Sequence, residues 1–192
     1  MTSAAVVCSH IDEVARGLEE LRAAAPLLER WARCIVDRID AGGRILVAGN
    51  GGSAAQAVHL AAEFVGRYRA ERRPLPAISL SADPAILTAL VNDYGSDHVF
   101  ARQIEAQARA VDVVVLLSTS GRSGNVVAAA RTAREVGALT LAFTGPAPNP
   151  LATACDDALW VAGPSPAAVQ EVHLVALHAL CECIDELLVV RA

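Results

Sequence analysis

Apolar residues at Ile11, Val14, Leu18 and Leu21, and again at Leu28, Trp31, Ile35 and Ile39, recur at the three-to-four-residue spacing of one helix face. Pro26 suits the start of a second helix and Gly42-Gly43 ends the pattern, so residues 9–41 predict two amphipathic helices. Beyond Gly43 the pattern changes to short apolar runs alternating with helical stretches. These predict a strand from Arg44 to Ala48, a helix from Ser53, a strand from Ala77 to Leu80, helices from Asp83 and Ser96, a strand from Asp112 to Thr119, a helix from Ser123 and a strand from Leu139 to Thr144. A short helix near Pro150, a strand near Ala158 to Ala162 and a long helix from Ser165 to about Val189 complete the series. Strands separated by helices imply βαβ units, hence an α/β fold in which about five parallel strands are sandwiched by helices.

A chain of 192 residues with 54% hydrophobic residues buries one sizeable core, which predicts a single domain over 1–192 with residues 1–42 as an N-terminal helical extension. Aromatics make up only 4%, which suits helices packed closely on a buried sheet better than a β-sandwich. The net charge of −5, with Arg72-Arg73 as the nearest approach to a basic run, argues against a nucleic-acid partner. No apolar run approaches the roughly 20 residues of a membrane span, and Met1-Thr2-Ser3 lacks the basic start of a signal peptide, so the expectation is a cytoplasmic protein with no membrane role. Five cysteines, an odd number, are expected to be free thiols.

In such sheets ligands bind beyond the carboxyl ends of the strands. Three loops fall there. Gly49-Asn50-Gly51-Gly52-Ser53 follows a strand and opens a helix; its glycines let backbone approach an anion, and the helix N-terminus supplies free N–H groups. Ser53 and Gln56 also match the S-x-x-Q capping box, the pattern of an ordinary capped turn. Ser118-Thr119-Ser120-Gly121-Arg122-Ser123 ends an apolar strand and starts another helix, and its hydroxyls and amides suit a phosphate monoester as well as a plain turn. Asn92-Asp93-Tyr94-Gly95 reads as a helix stop with a polar edge.

His59 and Glu63 stand four apart on the helix from Ser53, so they share a face and can converge on one ion or one proton path, or form a solvated pair. The last helix carries Gln170, Glu171, His173 and His178, with Ser165 as its N-cap and Pro166 at its first position.

Taken in order, AGNGGSAA, VHLAAEFVGRY, RPLPAISL, LTALVNDYG, STSGRSGNV and VQEVHLVALHALCECIDE resemble the phosphoheptose isomerases of the sugar isomerase (SIS) superfamily over almost the whole chain. The resemblance implies a single SIS domain, a homotetramer with the N-terminal helices in its association core, and aldose-ketose isomerisation of a sugar phosphate, sedoheptulose 7-phosphate to D-glycero-D-manno-heptose 7-phosphate. It implies a divalent metal, zinc, held by His59, Glu63, Gln170 and His178, with Glu63 and His178 as the acid/base pair. It places substrate on Asn50, Gly51, Gly52, Ser53, Asn92, Asp93, Ser118, Thr119, Ser120, Ser123 and Gln170.

Gln170 and His178 are eight residues apart, which on one helix is about 12 Å along the axis and about 80° around it. One chain can hardly bring both to one ion, so the complete site is expected at a subunit interface. The chain departs from the family pattern at Ala167-Ala168-Val169 ahead of Gln170 and at Gln56 and Val58 ahead of His59. Two rivals stay open: a non-catalytic SIS module that binds a partner, which has no need of an acid/base set, and an isomerase acting on a different six- to eight-carbon sugar phosphate in a specialised pathway.

Overall fold

Two runs, Ile45–Gly49 and Val113–Ser118, are buried at every residue, as the central strands of a parallel sheet with both faces covered must be. The computed structural model describes residues 2–163 and 165–191, so Met1 and Ala192, the ends of the expected 1–192 unit, lie outside the described residues. The elements are α1 (Ser3–Ala23), α2 (Ala25–Asp40), β1 (Ile45–Gly49), α3 (Gly52–Val65), β2 (Ala77–Ser79), α4 (Pro84–Tyr94), a 3-10 turn (Ser96–His98), α5 (Ala101–Gln107), β3 (Val113–Ser118), α6 (Gly124–Val136), β4 (Leu139–Thr144), α7 (Pro150–Ala154), β5 (Asp157–Trp160) and α8 (Pro166–Arg191).

All five strands pair in parallel, in the order β2-β1-β3-β4-β5. The alternation of side chains along β3 divides the core in two. Val113, Val115 and Leu117 meet Trp31, Ile35, Phe64, Leu177 and Leu180, so α2, α3 and α8 cover that face. Val114 and Leu116 meet Phe100, Ile104, Val126 and Ala130, so α5 and α6 cover the other. Helix α1 lies outside this sandwich, seating Val14, Leu18 and Leu21 on Val161, Val169 and Val172. At the base of the sheet the fully buried Asp112 accepts from the backbone N–H groups of Arg44 (3.0 Å) and Arg109 (2.9 Å), which ties the starts of β1 and β3 together.

The expected elements are present with ends shifted by a few residues, and three differences have physical reasons. The helix expected from Ser96 is a 3-10 turn followed by α5 from Ala101, because Val99 and Phe100 turn into the core between them. Helix α1 starts at Ser3, where the Thr2 hydroxyl accepts from Ala5 N–H at 3.3 Å. The Ser53–Gln56 capping box does not form. Gly51 adopts φ +55, a turn that favours glycine, so α3 begins a residue early at Gly52; Ser53 is buried and Gln56 turns to α8.

Candidate functional site

In the order β2-β1-β3-β4-β5 the connections from β1 and β3 leave in opposite directions, which makes the carboxyl ends of these two neighbours the switch point where such sheets bind ligands. Both polar loops stand there. Neither α3 nor α6 has a side-chain cap at its N-terminus, whereas Thr2, Asp83 and Asn149 cap α1, α4 and α7. Ser53 and Ala54 N–H already donate to the Asn50 carbonyl and Val126 N–H to that of Ser123, which leaves the amides of Gly52, Gly124 and Asn125 to meet an anion, aided by the positive ends of two helix dipoles. Two amides stitch the loops together: Asn50 Nδ2 donates to Asn125 Oδ1 at 2.8 Å, and Asn125 Nδ2 returns the bond to Asn50 Oδ1 at 3.0 Å. In the second loop Ser118 Oγ and Ser123 Oγ are 3.2 Å apart, Gly121 turns at φ +61, and Ser120 Oγ accepts from Arg122 N–H at 3.2 Å. Ser118 is buried, while Thr119 and Ser120 border a cavity of about 120 Å³ that reaches Ser165 and Val169.

Helices α3 and α8 run side by side from this edge, and their contacts mark the groove between them. At the top, Gly52 leaves room for the Gln170 amide, which a Cβ would meet at 2.2 Å, and Gln56 Nε2 donates to the Gln170 carbonyl at 2.6 Å. Lower down, His59 Nε2 and His178 Nε2 are 2.9 Å apart and Glu63 Oε1 is 3.5 Å from His59 Nε2. Tyr68, from the segment after α3, lies against the His178 ring with centroids 5.3 Å apart. One chain thus brings His59, Glu63 and His178 together and leaves Gln170 two turns away beside the first loop. Asn92 and Asp93 are exposed at the end of α4, where Asn92 Nδ2 donates to Asp93 Oδ1 at 2.9 Å; among the described residues neither bonds to the other two loops.

The donors His59, Glu63 and His178 are of the kind zinc takes. As placed, the two Nε2 atoms share a hydrogen bond, and among the described residues no group of three His, Cys, Asp or Glu is spaced to hold an ion as it stands. Two nitrogens on one tetrahedral zinc sit about 3.3 Å apart, so the rings must part by a few tenths of an ångström. Chemistry and convergence fit a metal for these three, but not for the same chain's Gln170.

Two groups nearby are held neutral. His173, fully buried, approaches the Thr144 carbonyl through Nε2 at 3.1 Å, and burial pulls its pKa down to about 4 against the pull of that carbonyl. The Cys181 thiol is pushed up to about 12 by burial and by the Glu63 and Asp185 carboxylates, with Arg72 opposing. All five cysteines are free. Asn125, Tyr68 and Gln56 are site neighbours whose contacts no periodicity reveals, since their partners lie far along the chain. Concavities of about 820 Å³ beside Arg131 and Pro148, and of about 610 Å³ between Leu27 and Trp160, contain none of the expected site residues.

The SIS domain family matches residues 9–145. The chain is 51% identical to the phosphoheptose isomerase of Streptomyces coelicolor over 185 residues, covering 96% of this chain and 80% of that protein. Its fold matches that of a phosphoheptose isomerase from Neisseria gonorrhoeae with a TM-score of 0.89 at 39% identity, over 96% of this chain and 100% of that one. A phosphoheptose isomerase from Francisella tularensis matches with a TM-score of 0.91 at 33% identity, over 97% of this chain and 100% of that one. With matches at this identity running over nearly the whole chain, it belongs to the phosphoheptose isomerase family of SIS-domain proteins.

Proposed function

We propose that this chain is an aldose-ketose isomerase that interconverts sedoheptulose 7-phosphate and D-glycero-D-manno-heptose 7-phosphate through an enediol. The carrying observation is the convergence of His59, Glu63 and His178 in a groove that opens toward two uncapped helix N-termini. The amides of Gly51, Gly52 and Gly124, with the hydroxyls of Ser118, Thr119, Ser120 and Ser123, hold the phosphate. Ser53, buried, supports the first loop from beneath. Glu63 takes a proton from C1 of the ketose, exchanges it with solvent while the enediol stands, and delivers a proton to C2, while His178 carries the proton that moves between the two oxygens. A positioned base of this kind contributes roughly 10²–10⁴-fold. Zinc on His59, Glu63 and His178 would polarise the carbonyl when bound.

Glu63 lies eleven residues along α3 from Gly52, about 16 Å of helix axis. That separation, and the distance between Gln170 and His178, support a site completed by a second copy. In this reading the protein is a cytoplasmic homotetramer, the N-terminal helices form its association core, and Gln170, Asn92 and Asp93 reach the pocket of a neighbouring protomer. A monomer with full turnover at high dilution would exclude it.

An isomerase of another six- to eight-carbon sugar phosphate is the second reading within the same chemistry, prompted by two features near Gln170: Gln56 binds the backbone of α8, and Ala167, Ala168 and Val169 carry no hydrogen-bonding side chain. The non-catalytic alternative loses ground because the acid/base set is intact. The deciding test is incubation with a panel of six- to eight-carbon ketose phosphates, with and without chelator. Aldose formed from the seven-carbon substrate, and suppressed by the chelator, is the expected result; no turnover of any member would refute the enzyme reading.

A further inference from the structure

Helix α3 ends without help from its own sequence. No basic residue lies in its last turn, and Gly66 is at φ −84 and ψ −116, so no left-handed glycine closes it. A residue from the following segment does this. Arg72 folds back beneath the helix with its side chain only 5% exposed, and its guanidinium donates to the carbonyls of Glu63 (2.7 Å), Phe64 (3.0 Å) and Gly66 (3.4 Å) and to its neighbour Arg73 (3.0 Å). Its Nε donates at 2.7 Å to Asp185, which stands two turns beyond His178 on α8. A planar fork with five donors is the side chain that can serve so many acceptors at once.

The α3–α8 groove is therefore held in three places: Gln56 on the Gln170 carbonyl at the top, His59 on His178 in the middle, and Arg72 on Asp185 at the bottom. Glu63 sits between the second and third, and its own backbone carbonyl is one of the atoms Arg72 holds. The same segment carries Tyr68 against the His178 ring. We propose that Arg72, braced by Asp185, is a positioning residue that sets the Glu63 carboxylate and the Tyr68–His178 contact for proton transfer. It touches no substrate.

The inference rests on Glu63 being the base, and the test separates the two ideas by measuring kcat and KM for Arg72→Ala, Arg72→Lys and Glu63→Gln side by side, with circular dichroism to establish folding. Misplacing a catalytic group by an ångström costs on the order of 10²-fold in rate, so Arg72→Ala should lose about 10- to 100-fold in kcat. KM should stay within about 3-fold, because the phosphate loops at the other end of α3 are untouched. Arg72→Lys, which keeps the charge but not the fork, should resemble Arg72→Ala, and it carries the test if the alanine variant does not fold. Millimolar guanidinium should restore part of the kcat of Arg72→Ala and none of that of Glu63→Gln. A kcat within 2-fold of wild type in both Arg72 variants, with Glu63→Gln inactive, would overturn the positioning role alone. A fall in Tm with kcat unchanged, or no rescue by guanidinium, would reduce Arg72 to a structural clamp. Full activity in Glu63→Gln would remove the base assignment itself, whatever Arg72 does.

Discussion

Acidification from pH 7 to pH 5 should destabilise this protein through one buried ring, His173. The ring is fully buried, its Nε2 serves the Thr144 carbonyl, and its Nδ1 has no partner among the described residues. That bond requires the proton on Nε2, so a second proton would sit on Nδ1 facing no acceptor. Burial accordingly lowers the pKa from 6.5 to about 4. With the folded value depressed, the unfolded chain takes up the proton first, and this contribution to stability is complete above the unfolded value and lost as pH falls from about 6.5 toward about 4. Over the interval from pH 7 to 5 the linkage comes to about 2 kcal/mol. Urea denaturation of the wild type and of His173→Gln at both pH values isolates it, because the glutamine amide can still donate to Thr144 and the rest of the protein titrates alike in both. The wild type should lose about 2 kcal/mol more than the variant. Equal losses in the two proteins, to within about 0.5 kcal/mol, would show that His173 is not held neutral by its surroundings. The result bears on function, since His173 pins α8 to the end of β4, between Gln170 and His178.

Two further outcomes follow from the same geometry. Asp112→Ala leaves two part-buried backbone N–H groups without their acceptor at the base of the sheet and should cost about 2 kcal/mol in thermal unfolding, without changing KM. Asn50→Ala breaks the amide pair with Asn125 that joins the two phosphate loops, and should raise KM about tenfold with a smaller change in kcat; Asn125→Ala should do the same, and the double variant should cost less than the sum.

The α/β class was legible because the determinants are local. Val113 to Leu117 is an unbroken apolar run that can only be a strand covered on both faces, and the spacing of Leu28, Trp31, Ile35 and Ile39 marks one helix face. The mistaken cap at Ser53 shows where local rules stop: the Ser-x-x-Gln pattern was present, but Gly51 at φ +55 shifted the helix start and α8 captured Gln56. Strand order, the Asn50–Asn125 pair separated by 75 residues, and the reach of Arg72 to Asp185 across 113 residues depend on which elements become neighbours, and no periodicity encodes that. His59 with Glu63 was readable as an i, i+4 pair on one helix. That His178, and not Gln170, completes the cluster within one chain required the register of α8 against α3.

In the proposed reaction Glu63 is the group that moves a proton between C1 and C2 of a phosphorylated ketose. Its most direct test is the rate and isotope content of aldose formed from sedoheptulose 7-phosphate in D₂O by wild-type protein and by Glu63→Gln. The prediction is solvent deuterium at C2 of the wild-type product, and a folded variant slowed by roughly 10²–10⁴-fold. Isomerisation by Glu63→Gln at the wild-type rate, or a product free of solvent deuterium, would contradict it.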